Sequence, residues 1–189
     1  MRPASSRGRF DVIFVRVSVI LIGYRGSGKT TVGRLLAARL GKKFVDADDL
    51  IVKRVGKSIR EIFAEGGENA FRTTEKAVIS ELALDADSVI AVGGGAMTRE
   101  ENRKALAGWP IVYLSCEARE LHRRIKSDPG TADNRPSLTP LGGGIEEIEA
   151  LLRQREPIYR AAMTAEINVT GLTPEQVVDR LVEMCRGPV

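Results

Sequence analysis

Gly23-Tyr24-Arg25-Gly26-Ser27-Gly28-Lys29-Thr30 is the stretch that decides the fold of this chain. It has the spacing of a phosphate-binding loop, and its neighbours agree. The β-rich run Arg16 to Ile22 leads into it, and Val32, Leu35, Leu36 and Leu40 mark one face of a helix that follows and stops at Gly41. The glycines let the backbone curl so that successive amides point at one set of phosphate oxygens, while the helix N-terminus adds favourable partial charge. On this reading Gly26, Ser27, Gly28, Lys29, Thr30 and Thr31 hold a nucleotide, with Lys29 reaching the β- and γ-phosphates and the Thr30 hydroxyl on magnesium. A chance glycine-rich turn is the other reading, and it does not account for the strand before and the helix after.

Outward from the loop, short β-rich runs alternate with longer helical stretches. Strands are expected at Arg16 to Ile22, Lys43 to Asp46, Ser88 to Val92, Ile111 to Ser115 and Glu166 to Val169. Four are nearly continuous in Val, Ile and Leu, which suits a parallel sheet buried on both faces and an α/β fold. Ser58 to Glu61 and Thr98 to Glu101 read as capping boxes, and Thr173-Pro174 with Gln176 starts the last helix by the same logic. Phe71, Glu75, Val78, Ile79 and Leu82 mark a long helix that carries Arg72 near its start. Asp128 to Gly144, broken by three prolines and rich in glycine, reads as a mobile loop longer than an ordinary connection.

Composition narrows the function classes. At 189 residues, 43% hydrophobic and 29% charged, the chain can bury a core without staples, and disorder is excluded as its main state. Few aromatics argue against a stacking platform for single-stranded nucleic acid. Cys116 and Cys185 lie far apart without metal-ligand spacing, so a reducing cytoplasm is expected. The net charge of +4 is concentrated at the start: residues 1–16 hold Arg2, Arg7, Arg9 and Arg16 against Asp11 alone. The remainder is nearly neutral, and neither nucleic acid nor membrane is an expected partner. Residues 1–15 read as an extension or poorly ordered start, and 16–189 as one domain. His122 is the sole histidine, which makes hydrolase triads and histidine metal sites poor hypotheses.

Other polar residues must choose the reaction. Asp46 and Asp48, with Asp49 beside them, follow the second strand and so face the same sheet edge as the phosphate loop. One carboxylate there orients magnesium through water and another accepts a proton from an attacking hydroxyl; the competing reading is a helix N-cap with acidic first-turn residues. Gly93-Gly94-Gly95 allows a substrate to approach the backbone closely, or is a bare turn. Arg135 in the long loop is either a γ-phosphate clamp or a solvated side chain. Arg155-Glu156-Pro157-Ile158-Tyr159 reads as a helix interrupted by proline, with a guanidinium near the break.

With these residues assembled, the chain resembles the shikimate kinase family of P-loop nucleoside-monophosphate-kinase-like enzymes from about Val17 to Cys185. The resemblance rests on the Gly23 to Thr31 loop, Val45-Asp46-Ala47-Asp48, Gly56-Lys57-Ser58-Ile59-Arg60-Glu61-Ile62-Phe63, Gly67-Glu68-Asn69-Ala70-Phe71-Arg72, Gly93-Gly94-Gly95, Asn134-Arg135-Pro136 and Arg155-Glu156-Pro157-Ile158-Tyr159. It implies a three-layer αβα P-loop kinase with a five-stranded parallel sheet in the order 2-3-1-4-5 and a lid at about 128–144. It also implies transfer of the ATP γ-phosphoryl group to the 3-hydroxyl of shikimate, with ATP and Mg2+ bound; a monomer is expected. Asp48 falls on the favoured base and on a contact to the shikimate hydroxyls, and Asp46 on the magnesium support. Arg72 and Arg155 fall on the substrate-carboxylate arginines, and Gly94 on a backbone contact to substrate. Lys29 and the lid arginine Arg135 serve the transferring phosphoryl group, and Arg124 packs on adenine.

The chain departs from the family pattern in a glycine-rich Leu138 to Gly144 and in Gly171, where many members carry an adenine-side arginine. A kinase of another small hydroxy acid such as gluconate and a non-catalytic P-loop regulator are the competing functions. A GTP switch would need an Asn-Lys-x-Asp motif that the sequence lacks.

Overall fold

The computed structural model describes residues 18–127 and 144–186, the last two by backbone alone. Five strands, β1 (Val19–Ile22), β2 (Lys43–Asp46), β3 (Ser88–Ala91), β4 (Ile111–Ser115) and β5 (Ala165–Asn168), form one sheet in the order β2-β3-β1-β4-β5. Every pairing is parallel, with Val19 opposite Val89, Ile20 opposite Ile111, Lys43 opposite Ser88 and Val112 opposite Ala165. The expected strands and their order are therefore present, with ends within a residue except at the start of β1, which begins at Val19 where Arg16 is expected, residues 16–17 lying outside the described residues. Residues 1–17, and with them the proposed extension, lie outside the described residues.

The described helical segments are α1 (Lys29–Leu40), α2 (Ala47–Val55), α3 (Ile59–Leu82), which is kinked at a non-helical Gly67, α4 (Glu100–Ala105), α5 (Ala118–Ser127), α6 (Ile145–Ala162) and α7 (Pro174–Arg186). Strand alternation sends Val19 and Leu21 to one face and Ile20 and Ile22 to the other, each fully buried or nearly so. The first face packs on Val32 and Leu36 of α1, Leu121 of α5, Leu151 of α6 and Val178 and Leu181 of α7. The second packs on Ile51 of α2, Phe71 and Ile79 of α3 and Tyr159 of α6. Both faces are covered, which is why these strands read as continuous apolar runs.

Local signals hold in most places. Ser58 and Glu61 form a reciprocal capping box at the start of α3, and Thr173 and Gln176 exchange the equivalent bonds at 2.9 and 3.3 Å before α7. Thr98 to Glu101 is not a capping box. The Thr98 hydroxyl donates to Gly95 O at 2.7 Å and closes a 3-10 turn, Ala96–Thr98, so Arg99 stands at the helix N-cap. Leu35 is 36% exposed; the buried stripe of α1 is Val32, Gly33, Leu36 and Ala37. Nor does Pro157 interrupt its helix, since α6 runs on to Ala162 and Met163 N donates to Tyr159 O at 2.9 Å. Burial of Arg155 and Tyr159 on either side holds that turn despite the missing amide.

Gly33 shows how tightly α1 lies on the sheet. A Cβ there would stand 2.4 and 2.9 Å from ring carbons of Phe44 and 3.2 Å from Leu21. Alanine within a helix normally gains about 0.5–1 kcal/mol over glycine, but overpacking costs about 1–3 kcal/mol. Gly33→Ala should therefore lower the denaturation midpoint without changing the slope; an unchanged or raised midpoint would mean that Phe44 yields freely.

Candidate active site

The phosphate loop joins β1 to α1. Gly23 adopts φ 148°, and a Cβ on it would lie 2.7 Å from Leu114 O and 2.8 Å from Ser27 Oγ, so only glycine fits. Lys29, first residue of α1, donates from Nζ to the carbonyls of Gly23 and Tyr24, each at 3.0 Å. The Ser27 hydroxyl is buried and has no hydrogen-bond partner among the described residues. A backbone concavity at a helix N-terminus, with a lysine and an orphaned buried hydroxyl, matches a string of phosphates in shape and charge.

Asp46 serves two roles at once. Its Oδ1 accepts from Asp48 N at 3.0 Å and caps α2, while its Oδ2 accepts from the Thr30 hydroxyl at 2.8 Å. The cap reading and the magnesium reading are thus compatible. Asp48 is half-buried in the first turn of α2, whereas Asp49 is exposed, 3.9 Å from Arg34. No group of three or more His, Cys, Asp and Glu side chains converges among the described residues. Magnesium accepts one or two protein oxygens and takes the rest from phosphates and water, so the Thr30 and Asp46 oxygens suit it.

The glycine triplet is a buried turn after β3. A Cβ on Gly94 would stand 3.2 Å from Gly23 O, and one on Gly95 would stand 2.5 Å from Nη2 of Arg72. Side chains on this turn would push it off the phosphate loop and displace the arginine. Arg72 pairs with Glu75 at 2.8 Å and Glu68 at 3.1 Å, its guanidinium 5.3 Å from the Phe71 ring centre. Arg155 is buried on the other flank, 5.9 Å from the centre of the Tyr24 ring. Burial pushes the Tyr24 phenol up from its ordinary range, against the pull of Arg155. A half-buried and a buried guanidinium, each a planar fork of donors, flank the glycine turn and can grip a carboxylate.

A cleft of about 970 Å³ connects these parts, lined by Lys29, Thr30, Asp46, Asp48, Gly94 and Arg124 among others. Arg124 is fixed by Glu120 at 2.7 Å and Val169 O at 3.0 Å, with a guanidinium nitrogen 4.0 Å from where a Gly28 Cβ would be. Arg123 and Arg124 together hold the Glu120 carboxyl down to about 2. A second groove, about 670 Å³, lies at the opposite edge of the sheet by Trp109 and Pro110 and contains none of these groups.

Tertiary structure thus brings Gly26, Ser27, Gly28, Lys29, Thr30, Thr31, Asp46, Asp48, Gly94 and Arg124 to one cleft, with Arg72 and Arg155 flanking the glycine turn. Arg135 and the expected lid fall outside the described residues. Sequence reasoning passed over Tyr24, Glu75, Glu120 and Tyr159. Glu75 had a legible signal: it is a carboxylate on an otherwise apolar stripe, three residues beyond an arginine. Tyr24 and Tyr159 stood inside the quoted motifs with no role attached, and Glu120 had no signal.

The sequence profile of the family described as shikimate kinase matches residues 25–186. The shikimate kinase of Thermobifida fusca is 40% identical over 168 residues, covering 89% of this chain and 94% of its own. That of Salinispora tropica is 44% identical over 158 residues, covering 84% and 91%. Among solved structures, shikimate kinase from Acinetobacter baumannii in complex with shikimate superposes with a TM-score of 0.82 at 32% identity, over 93% of this chain and 94% of the other. The Aquifex aeolicus shikimate kinase gives 0.73 at 32% identity, over 87% and 94%.

The double role of Asp46 is separable. Asp46→Ala should cost about 1 kcal/mol in urea unfolding through the lost cap, whereas Asp46→Asn, an equally good cap, should cost only a few tenths. Both should raise the magnesium concentration needed for half-maximal turnover. If the asparagine variant kept the wild-type magnesium requirement, Asp46 would be a cap alone.

Proposed function

This chain belongs to the shikimate kinase family, and from that premise we propose how its own residues divide the work. The enzyme transfers the γ-phosphoryl group of ATP to shikimate, giving shikimate 3-phosphate and ADP. The observation that carries the assignment of roles is the position of the glycine turn, which lies against Gly23 of the phosphate loop and against Arg72. Substrate held there sits beside the γ-phosphate. The shikimate bound in the Acinetobacter baumannii relative supports the same reading.

Shikimate is a small anionic polyol that offers little apolar area, so charge-assisted hydrogen bonds must grip it. Arg72 and Arg155 take its carboxylate, and the backbone of Gly94 passes beside its ring. Asp48, in the same cleft as Lys29 and Thr30, accepts or orients the proton of the 3-hydroxyl as that oxygen attacks. Lys29 leaves the carbonyls of Gly23 and Tyr24 for the β- and γ-phosphate oxygens, while the loop amides keep the chain of phosphates in line. Thr30 and Asp46 hold Mg2+, which when bound neutralises phosphate charge. Arg124 faces the nucleotide base. Arg135, by resemblance, completes the clamp on the γ-phosphate.

All of these groups come from one chain, which supports a monomer as the working unit. No described helix is long and apolar enough to cross a membrane; we place the enzyme in the cytoplasm, where ATP is available.

An assay coupled to ADP release, run with ATP, magnesium and a panel of sugar acids, tests the assignment; faster turnover of gluconate than of shikimate would refute it. Asp48→Asn should lower kcat by about 10²–10⁴ while nucleotide binding persists. A near-normal rate would remove Asp48 from the chemistry. Arg72→Ala and Arg155→Ala should each raise the KM for shikimate by about ten- to a hundredfold, since a hydrogen bond to a charged group contributes about 1.5–3 kcal/mol. A change confined to the ATP dependence would reverse the division of the site.

A further inference from the structure

Tyr159 is the group on which both flanks of the glycine turn converge. It is fully buried on α6, its ring 5.1 Å from that of Tyr113 beneath the sheet. Its hydroxyl donates to the carbonyl of Gly94, and the Arg155 guanidinium, one helical turn earlier on α6, stands near enough to pull on the same phenol. The Gly94 carbonyl belongs to the peptide that links Gly94 to Gly95, and Gly95 is the residue whose α-carbon Arg72 crowds. One hydroxyl therefore stands beside one guanidinium and reaches the other through a single peptide plane.

We propose that Tyr159 is a positioning residue for substrate selection: its hydroxyl locks the Gly94–Gly95 peptide and Arg155 together, setting the spacing at which Arg72 and Arg155 receive a carboxylate. The inference rests on the reading of those two arginines as the carboxylate grip. Two features make the lock durable. Burial pushes the Tyr159 phenol up to about 12, so the hydroxyl stays protonated and donating across the physiological range. Full burial and the Tyr113 ring 5.1 Å away restrict the movement of its own ring. Arg72 is braced from behind by the buried carboxylate of Glu75, so the glycine turn is the face on which its position depends.

A lost lock should show as lost discrimination for the carboxylate, separate from any general weakening. The experiment compares kcat/KM for shikimate and for its methyl ester, which keeps the ring hydroxyls and lacks the charge, in wild type, Tyr159→Phe and Arg155→Ala. Tyr159→Phe should reduce the acid-to-ester preference about fivefold or more, as expected for coupled neighbours. The loss should come through the KM for shikimate, with the KM for ATP within about twofold of wild type. A preference unchanged in Tyr159→Phe while Arg155→Ala abolishes it would overturn the inference and leave the arginine reading intact. A preference unchanged in Arg155→Ala would overturn the arginine reading itself. Equal losses for acid and ester in Tyr159→Phe would mean a structural tyrosine and would also overturn the inference. If Tyr159→Phe does not fold, Gly95→Ala tests the same path from the Arg72 side: its added methyl should lower the acid-to-ester preference, and an unchanged preference would sink the proposal.

Discussion

The site depends on one close approach. At the end of β1 the backbone of Gly23 passes so near the Leu114 carbonyl and the Ser27 hydroxyl that no side chain fits. That contact ties the phosphate loop to β4 on one side, while Gly94 presses against the Gly23 carbonyl from the β3 side. A parallel sheet brings all its strand ends to one edge, and here a Cβ on Gly23 would meet Leu114 O at 2.7 Å and one on Gly94 would meet Gly23 O at 3.2 Å. The loop is therefore held by the sheet as well as by its own turns. Preorganisation of this kind lets a site stabilise transferring charge without rearranging when it acts.

Charge placement follows the same economy. A few cations inside the fold are individually held. Arg72 is braced by Glu75 and Glu68, and Arg124 by Glu120 and the Val169 carbonyl. A buried guanidinium without such partners is costly. Each brace leaves the arginine charged and reduces the side-chain freedom to be lost when an anion arrives. The acidic side is equally compact, since one carboxylate both starts α2 and engages Thr30.

Much of this is legible in the amino-acid sequence. The phosphate loop, the five strands and two of three capping boxes depend on near neighbours along the chain, and local spacing reports such features well. Local spacing misleads where distant contacts decide. Thr98 has the right partner spacing for a capping box, yet the Gly95 carbonyl is closer to hand in the turn that packs against the core. Pro157 looks like a helix end, but two buried side chains carry the helix through it. Leu35 lies on an apolar stripe by count, while the surface of the sheet selects the stripe one step round, where Gly33 admits Phe44.

By itself the sequence determined the α/β class, the phosphate-binding loop and the family, because glycine spacing, strand composition and family motifs are carried by short segments. Only the tertiary structure decided that Gly94 abuts Gly23, that Glu75 stands behind Arg72, and that the Tyr159 hydroxyl lies between Arg155 and the glycine turn. Tyr159 and Gly94 are 65 positions apart in the chain. No local pattern encodes such a bond; it exists because α6, with Leu151 packed in one core and Tyr159 in the other, brings that hydroxyl to the carbonyl.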